Sequence, residues 1–158
     1  MERNMVSLFL LAGEEVLLLH RAGGRVASGL WVAACGGHME KDELNDARRA
    51  AIREMGEELG LEKEDIRGLK LRYITLRNTG EEIRQNFYFF AGIDRERPLA
   101  SSEGELRWAG WQEALSLPMP FSARQVLAHY FEKGQHTPFL YCGAGGKEKM
   151  VFTPLEAF

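Results

Sequence analysis

Apolar and polar positions along the chain alternate between a strand-like and a helix-like period. Met5–Ala12 and Glu15–His20 are β-rich apolar runs parted by Gly13-Glu14, a pattern that predicts a hairpin. Arg21 to Gly29 is polar with three glycines, as expected of a loop. Leu30–Cys35 is a short apolar run closed by Gly36-Gly37, predicting a strand that ends in a turn. From Asp42 to Leu59 the pattern becomes helical. Gly60 then stands where a left-handed residue closes a helix, and Leu61 where the accompanying apolar contact belongs. Leu69–Arg77 and Ile83–Ile93 follow as strands joined through Asn78-Thr79-Gly80. Arg95–Gly104 reads as a loop and Leu106–Trp111 as a short strand. Pro118 and Pro120 break the chain before a second helix, Ser122–Lys133, and Phe139–Cys142 with Lys149–Thr153 form a last hairpin. The expectation is one α/β domain over residues 1–158, with a mixed central sheet and two principal helices.

Composition narrows the function. The chain has 158 residues, 45% hydrophobic and 27% charged, enough for one well-buried domain. A net charge of −3 argues against a partner such as a nucleic-acid polymer, yet leaves room for a small anionic substrate once a divalent cation reverses the local sign. Two cysteines, Cys35 and Cys142, imply no disulfide framework and fit a reducing cytoplasm. The apolar run at the start is too short to span a membrane, so no membrane association is expected.

The chemistry concentrates in Gly36-Gly37-His38-Met39-Glu40 and in Arg53-Glu54-Met55-Gly56-Glu57-Glu58-Leu59-Gly60-Leu61. On a helix with Glu54 at zero, Glu57 falls near −60° and Glu58 near +40°, so three carboxylates share an arc of about 100°. Ile52, Met55 and Leu59 fall at roughly 160°, 100° and 140°, a separate core-facing stripe. Three like charges on one face repel, and a hard cation such as Mg²⁺ or Mn²⁺ cancels that cost through carboxylate oxygens. Paired glutamates alone are usually solvated surface; the full grammar R-E-x-x-E-E-x-G, ahead of an apolar residue and after a Gly-Gly pair, is far more specific.

That segment resembles the Nudix box, G-x5-E-x7-R-E-U-x-E-E-x-G-U, with Met55 as the aliphatic U. The resemblance implies a Nudix fold, an α/β/α sandwich, and water attack on a phosphorus of a nucleoside diphosphate linked to another group. It implies that Glu54, Glu57 and Glu58 bind Mg²⁺ (or Mn²⁺) with the Gly36 carbonyl, and that Arg53 orients the glutamates. Gly37-x5-Glu43 fits the first half, but nine residues rather than seven separate Glu43 from Arg53, and counting back from Arg53 puts Asn45 in that place. The two extra residues belong in a loop or the first helical turn. Were the helix to reach Glu43, that carboxylate would lie about 16 Å from Glu54.

Beyond the box, Arg21 matches a phosphate-contacting arginine of MutT-type members. Glu103 aligns with a late loop glutamate that serves as extra ligand or base, with Glu105 as its competitor. Glu103 to Trp111 and the closing hairpin resemble the oxidised-purine-triphosphate branch. The base-reading positions of that branch carry Val32 and Ser122-Ala123 instead, which leaves Trp31, Phe121 or the Phe87–Phe90 aromatics to hold a base by packing and predicts broad base tolerance. Two rival functions remain: an isopentenyl-diphosphate-type isomerase using a cysteine near Cys35, and a non-catalytic Nudix-like binding module. His38 and Cys35 read more simply as a loop histidine and a small buried thiol.

Overall fold

The computed structural model describes residues 1–21, 29–145 and 148–156. Most of the expected Arg21–Gly29 loop, and Gly146 of the final turn, lie outside the described residues.

Among the described residues nine strands form one mixed sheet. β1 (Glu2–Ala12) turns at Gly13, whose φ of 59° suits glycine, into β2 (Glu15–Arg21). The two strands pair only at their hairpin end, Leu10–Ala12 against Glu15–Leu17, and then diverge. The single expected strand Leu30–Cys35 is in fact two, which share the fork between them. β3 (Trp31–Ala33) follows β2, and β4 (Cys35–His38) follows β1. Gly36-Gly37 is therefore inside a strand rather than in a turn.

The free edge of β2 takes β7 (Gly104–Gly110), and that of β1 takes β6 (Ile83–Gly92) in parallel. β5 (Arg67–Asn78) returns antiparallel to β6 through a turn where Asn78 Oδ1 accepts from the Gly80 amide at 2.8 Å. β8 (Leu140–Gly145) joins β5 in parallel, and β9 (Met150–Leu155) closes the expected last hairpin.

Strand alternation sends Val6, Leu8, Leu10, Leu17, Phe89 and Ala91 to one face, beneath α1 (Ala47–Leu59). Phe9, Val16, Leu18, Tyr88 and Phe90 go to the other, beneath α3 (Phe121–Glu132). Helices thus cover both faces, as expected. A short helix, α2 (Trp111–Ser116), was not signalled by the sequence because six residues are too few to show a period.

The first helix starts later than its pattern suggests. Asp46 caps it, accepting from the Arg49 amide at 3.1 Å, and Lys41–Glu43 forms a separate 3-10 turn. Gly60 ends it at φ 66°, and Leu61 is buried beside it.

Candidate active site

β4 builds the site because, among the described residues, only its edge toward β1 is paired in the sheet. The Met39 amide donates to Asn4 O at 2.9 Å, so by alternation Gly37 and Cys35 face β1 while Gly36 and His38 turn their peptide groups outward. Those outward groups meet α1. The Gly36 N–H donates to Glu58 Oε2 at 2.9 Å, and the His38 carbonyl accepts from Arg53 Nη2 at 3.2 Å. The Gly36 carbonyl lies on the same strand edge.

The glycines are needed for closeness. A Cβ on Gly36 would collide with the Val6 carbonyl oxygen, and one on Gly37 would stand 2.5 Å from Glu54 Oε1. On the helix side Ala50 and Ala51, both fully buried, keep the approach short. The inward face of α1 is centred on Ala50, Ala51, Glu54, Met55 and Leu59. The glutamates are therefore not on a face separate from the core: Glu54 sits within the buried face, and Ile52 is not part of the core cluster.

Arg53 is the hub. Its Nε and Nη2 grip Glu43 Oε1 and Oε2 at 2.7 and 3.0 Å, and its Nη1 reaches Glu54 Oε1 at 3.0 Å and Glu57 Oε2 at 3.1 Å. Glu43 is 1% exposed and also accepts from the Glu40 amide at 3.0 Å. The Arg53 hydrogen bonds hold its carboxyl down, to about 2, and Glu43 in turn holds the guanidinium above its ordinary range. The two extra residues are thus absorbed in the Leu44-Asn45-Asp46 connection, and Glu43, rather than Asn45, supports the arginine. The 16 Å separation applied only to an unbroken helix.

Burial raises the Glu54 carboxyl despite Arg53. Burial, with the fields of Glu54 and Glu103, pushes Glu58 up to about 7 against the Gly36 hydrogen bond and Arg21. Glu103 stands across from Glu58, its Oε2 3.6 Å from Arg21 Nη2. Glu105 is exposed on β7 and shares the sheet face of Ala109, opposite to Leu106 and Trp108, which pack toward α1.

Among the described residues no three acidic, cysteine or histidine side chains stand close enough to form a ready ligand set. Glu57 is drawn to Arg53 on the exposed rim, while Glu58 is held by Gly36. The donor chemistry nonetheless suits a hard divalent cation. Two carboxylates, both raised by burial and within each other's field, lie beside an outward-facing carbonyl edge, and a cation relieves that repulsion.

A cavity of about 410 Å³ opens from this point through the fork onto the α3 face of the sheet. Gly36, Gly37, Glu58 and Arg21 line one end, and Pro120, Phe121, Ser122 and Ala123 roof it at the start of α3. Val32, Ser122 and Ala123, the positions singled out for base reading, do line the wall. Trp31 does not; its ring lies 4.7 Å from that of His20, with Arg107 5.7 Å away. Of the Phe87–Phe90 aromatics only Tyr88 reaches the cavity, and Phe89 and Phe90 are core. The wall is more polar than expected: Ser7, Thr75, Asn86, Arg3, Arg77 and Arg84 contribute to it beyond Arg21 at the mouth. The alternation Arg84-Gln85-Asn86-Phe87-Tyr88 carried that signal, since it puts Arg84, Asn86 and Tyr88 on one face.

Cys35 is 2% exposed, and burial with the fields of Glu58 and Glu54 raises its thiol well above the usual range. A thiol so held is a poor proton donor or nucleophile. Cys142 is also free. No helix among the described residues is long and apolar enough to cross a membrane.

A family model described as the NUDIX domain matches residues 1–130. Among solved structures, a MutT protein from Bacillus halodurans is 24% identical over 97% of each chain, with a TM-score of 0.72. A C. elegans Ap4A hydrolase is 21% identical over 85% of this chain and 99% of its own, with a TM-score of 0.68. The NUDIX domain of Shewanella oneidensis NrtR, solved with ADP ribose, is 16% identical over 84% and 88%, with a TM-score of 0.66. No curated protein matches the sequence.

Proposed function

We propose that the chain, which belongs to the NUDIX domain family, is a divalent-cation-dependent pyrophosphohydrolase acting on nucleoside-diphosphate-linked substrates. Its substrate is a nucleoside triphosphate or a nucleoside diphosphate joined to another group. Glu54, Glu58 and the Gly36 carbonyl would hold Mg²⁺ or Mn²⁺, with Glu57 joining from the rim. The cation supplies charge neutralisation on the diphosphate and a lower pKa for bound water.

The protein's own residues have separable tasks in this reading. Arg53, fixed by Glu43, keeps the glutamates facing β4. Arg21 binds a phosphate oxygen at the cavity mouth. Glu103, half-buried and opposite Glu58, accepts the proton of the attacking water. The cavity wall excludes bulk water and holds the nucleoside. Two free thiols fit a cytoplasmic setting.

The observation that carries this reading is the seating of Glu54 and Glu58 against Gly36-Gly37 at the mouth of a nucleoside-sized cavity. An isomerase is disfavoured by the buried, strongly protonated Cys35. The test is a panel of canonical and oxidised deoxynucleoside triphosphates, ADP-ribose, sugar nucleotides and dinucleoside polyphosphates, with product masses recorded. Mg²⁺-dependent release of phosphate, pyrophosphate or a nucleoside monophosphate that chelator abolishes is the expected result. Turnover indifferent to chelator, or no turnover on any member, would overturn it.

A further inference from the structure

We propose that the end of the cavity remote from Glu58 is a phosphate subsite, where Arg3, Arg84 and Arg77 hold a second phosphate carried by the nucleoside itself. This rests on the reading that the pyrophosphate is cut at the Gly36–Glu58 end.

The register of the sheet creates the subsite. The parallel β1–β6 ladder sets Arg3 against Arg84, and the antiparallel β5–β6 ladder sets Arg84 against Arg77. Three arginines thus form one row across three adjacent strands. Their parity with Ser7, Asn86 and Thr75 puts all three on the α3 face, and all three line the cavity. Directly opposed like charges on a sheet destabilise it. Glu82 alone offsets them among the described residues, at 3.4 Å from Arg3 and 2.6 Å from Arg84. Arg77 has no carboxylate partner among the described residues and lies over the Phe121 ring, 5.0 Å from its centroid. Three cations against one anion leave the cavity end strongly positive in a chain whose net charge is −3.

Guanidinium forks in a row match the oxygens of a phosphate, and an anion there relieves the repulsion that Glu82 only partly offsets. The spacing selects the ligand. Ser7 is the register partner of Gly36, and Arg3 lies four residues earlier on β1, so the row is roughly 13 Å from the glutamate end. Arginine side chains take up part of that distance, and one nucleoside bridges the remainder. Ser7 and Asn86, themselves joined at 3.2 Å, stand between the two ends. The substrate class is therefore a nucleotide whose ribose carries a further phosphate away from the bond that is cut.

The test is calorimetric binding of 5′-AMP, adenosine 2′,5′-bisphosphate and adenosine 3′,5′-bisphosphate, with Mg²⁺ present; none has a pyrophosphate bond to cut. The wild-type protein should bind one bisphosphate about tenfold or more tighter than 5′-AMP. That advantage should collapse in Arg77→Gln or Arg84→Gln and persist in Lys63→Gln, which removes a distant surface charge. Should Arg84→Gln misfold through loss of its 2.6 Å pair with Glu82, Arg77→Gln alone decides, since Arg77 has no carboxylate partner among the described residues. Equal affinity for all three compounds, or an advantage that survives both arginine substitutions, would overturn the subsite. Selective bisphosphate binding without turnover on any nucleotide would instead refute the hydrolase reading and leave the subsite standing.

Discussion

Glu43→Gln isolates the contact on which the glutamate cluster depends. The carboxylate is 1% exposed and makes two charge-assisted hydrogen bonds to Arg53, at 2.7 and 3.0 Å. Glutamine keeps the volume and one acceptor but removes the buried counter-charge of the guanidinium, leaving it only Glu54 and Glu57 at close range. The downward shift from 4.5 to about 2 corresponds to roughly 3 kcal/mol of stability at neutral pH. Arg53 is 22% exposed, so screening reduces this, and a loss of about 2–3 kcal/mol is expected. The folded-state pKa lies below the unfolded one, so the contribution is complete above about 4.5 and disappears as pH falls toward 2. Urea denaturation of both proteins at pH 7, 5, 4 and 3 measures it: the gap should be widest at pH 7 and narrow steadily below pH 4.5. Turnover should fall as well, because Arg53 loses the anchor from which it reaches Glu54 and Glu57. A Glu43→Gln protein within about 0.5 kcal/mol of wild type at pH 7 would refute the reasoning, since surface substitutions fall in that range.

Three other outcomes follow from the same geometry. Glu58 is raised to about 7, so its ionisation opposes folding; without cation, Glu58→Gln should be more stable than wild type by about 1–2 kcal/mol at pH 8, with the gain vanishing as pH falls to about 4.5. Thermal denaturation in chelator measures this, and a variant less stable at pH 8 would contradict it. Gly37→Ala should lower kcat/KM at least about tenfold while moving Tm by only a few degrees, because the new methyl displaces the movable Glu54 carboxylate rather than backbone; unchanged kinetics would count against the Glu54 assignment. Cys35→Ala should retain turnover within about threefold, and the folded wild-type thiol at position 35 should resist iodoacetamide at pH 8, as burial keeps it protonated; rapid labelling there, or lost activity, would revive the cysteine-based rival.

The elements with strong local signals were legible in the sequence. The hairpin at Gly13, the Gly60 stop, the long strands on either side of Asn78-Thr79-Gly80 and the last hairpin all rest on turn chemistry and period, which are local. The helix start was not, because Asp42–Asp46 is polar enough to continue a helical pattern while the chain instead makes a 3-10 turn and is capped anew at Asp46. Nor could period show that Leu30–Cys35 divides at Ala34 between two partners, since the division is set by the divergence of β1 from β2.

That divergence also explains why the glutamates were found while their surroundings were misread. Spacing on a helix fixes which side chains share an arc, but not which arc the fold buries. Ile52, Met55 and Leu59 suggested a core stripe beside the carboxylates, yet the partner strand offers Gly37, where the missing side chain leaves room for the Glu54 carboxylate to take the inward face. Glu54 is consequently buried, Glu58 is pushed toward neutral pH, and Arg53 needs the remote Glu43 to hold it in place. The arginine row has the same origin. Arg3, Arg77 and Arg84 are unremarkable along the chain, and they become neighbours only through a parallel register between β1 and β6 that no local pattern encodes. In the proposed reading, most of the pyrophosphate chemistry is therefore written in one contiguous motif, whereas the choice of substrate is written in the pairing of strands far apart in sequence.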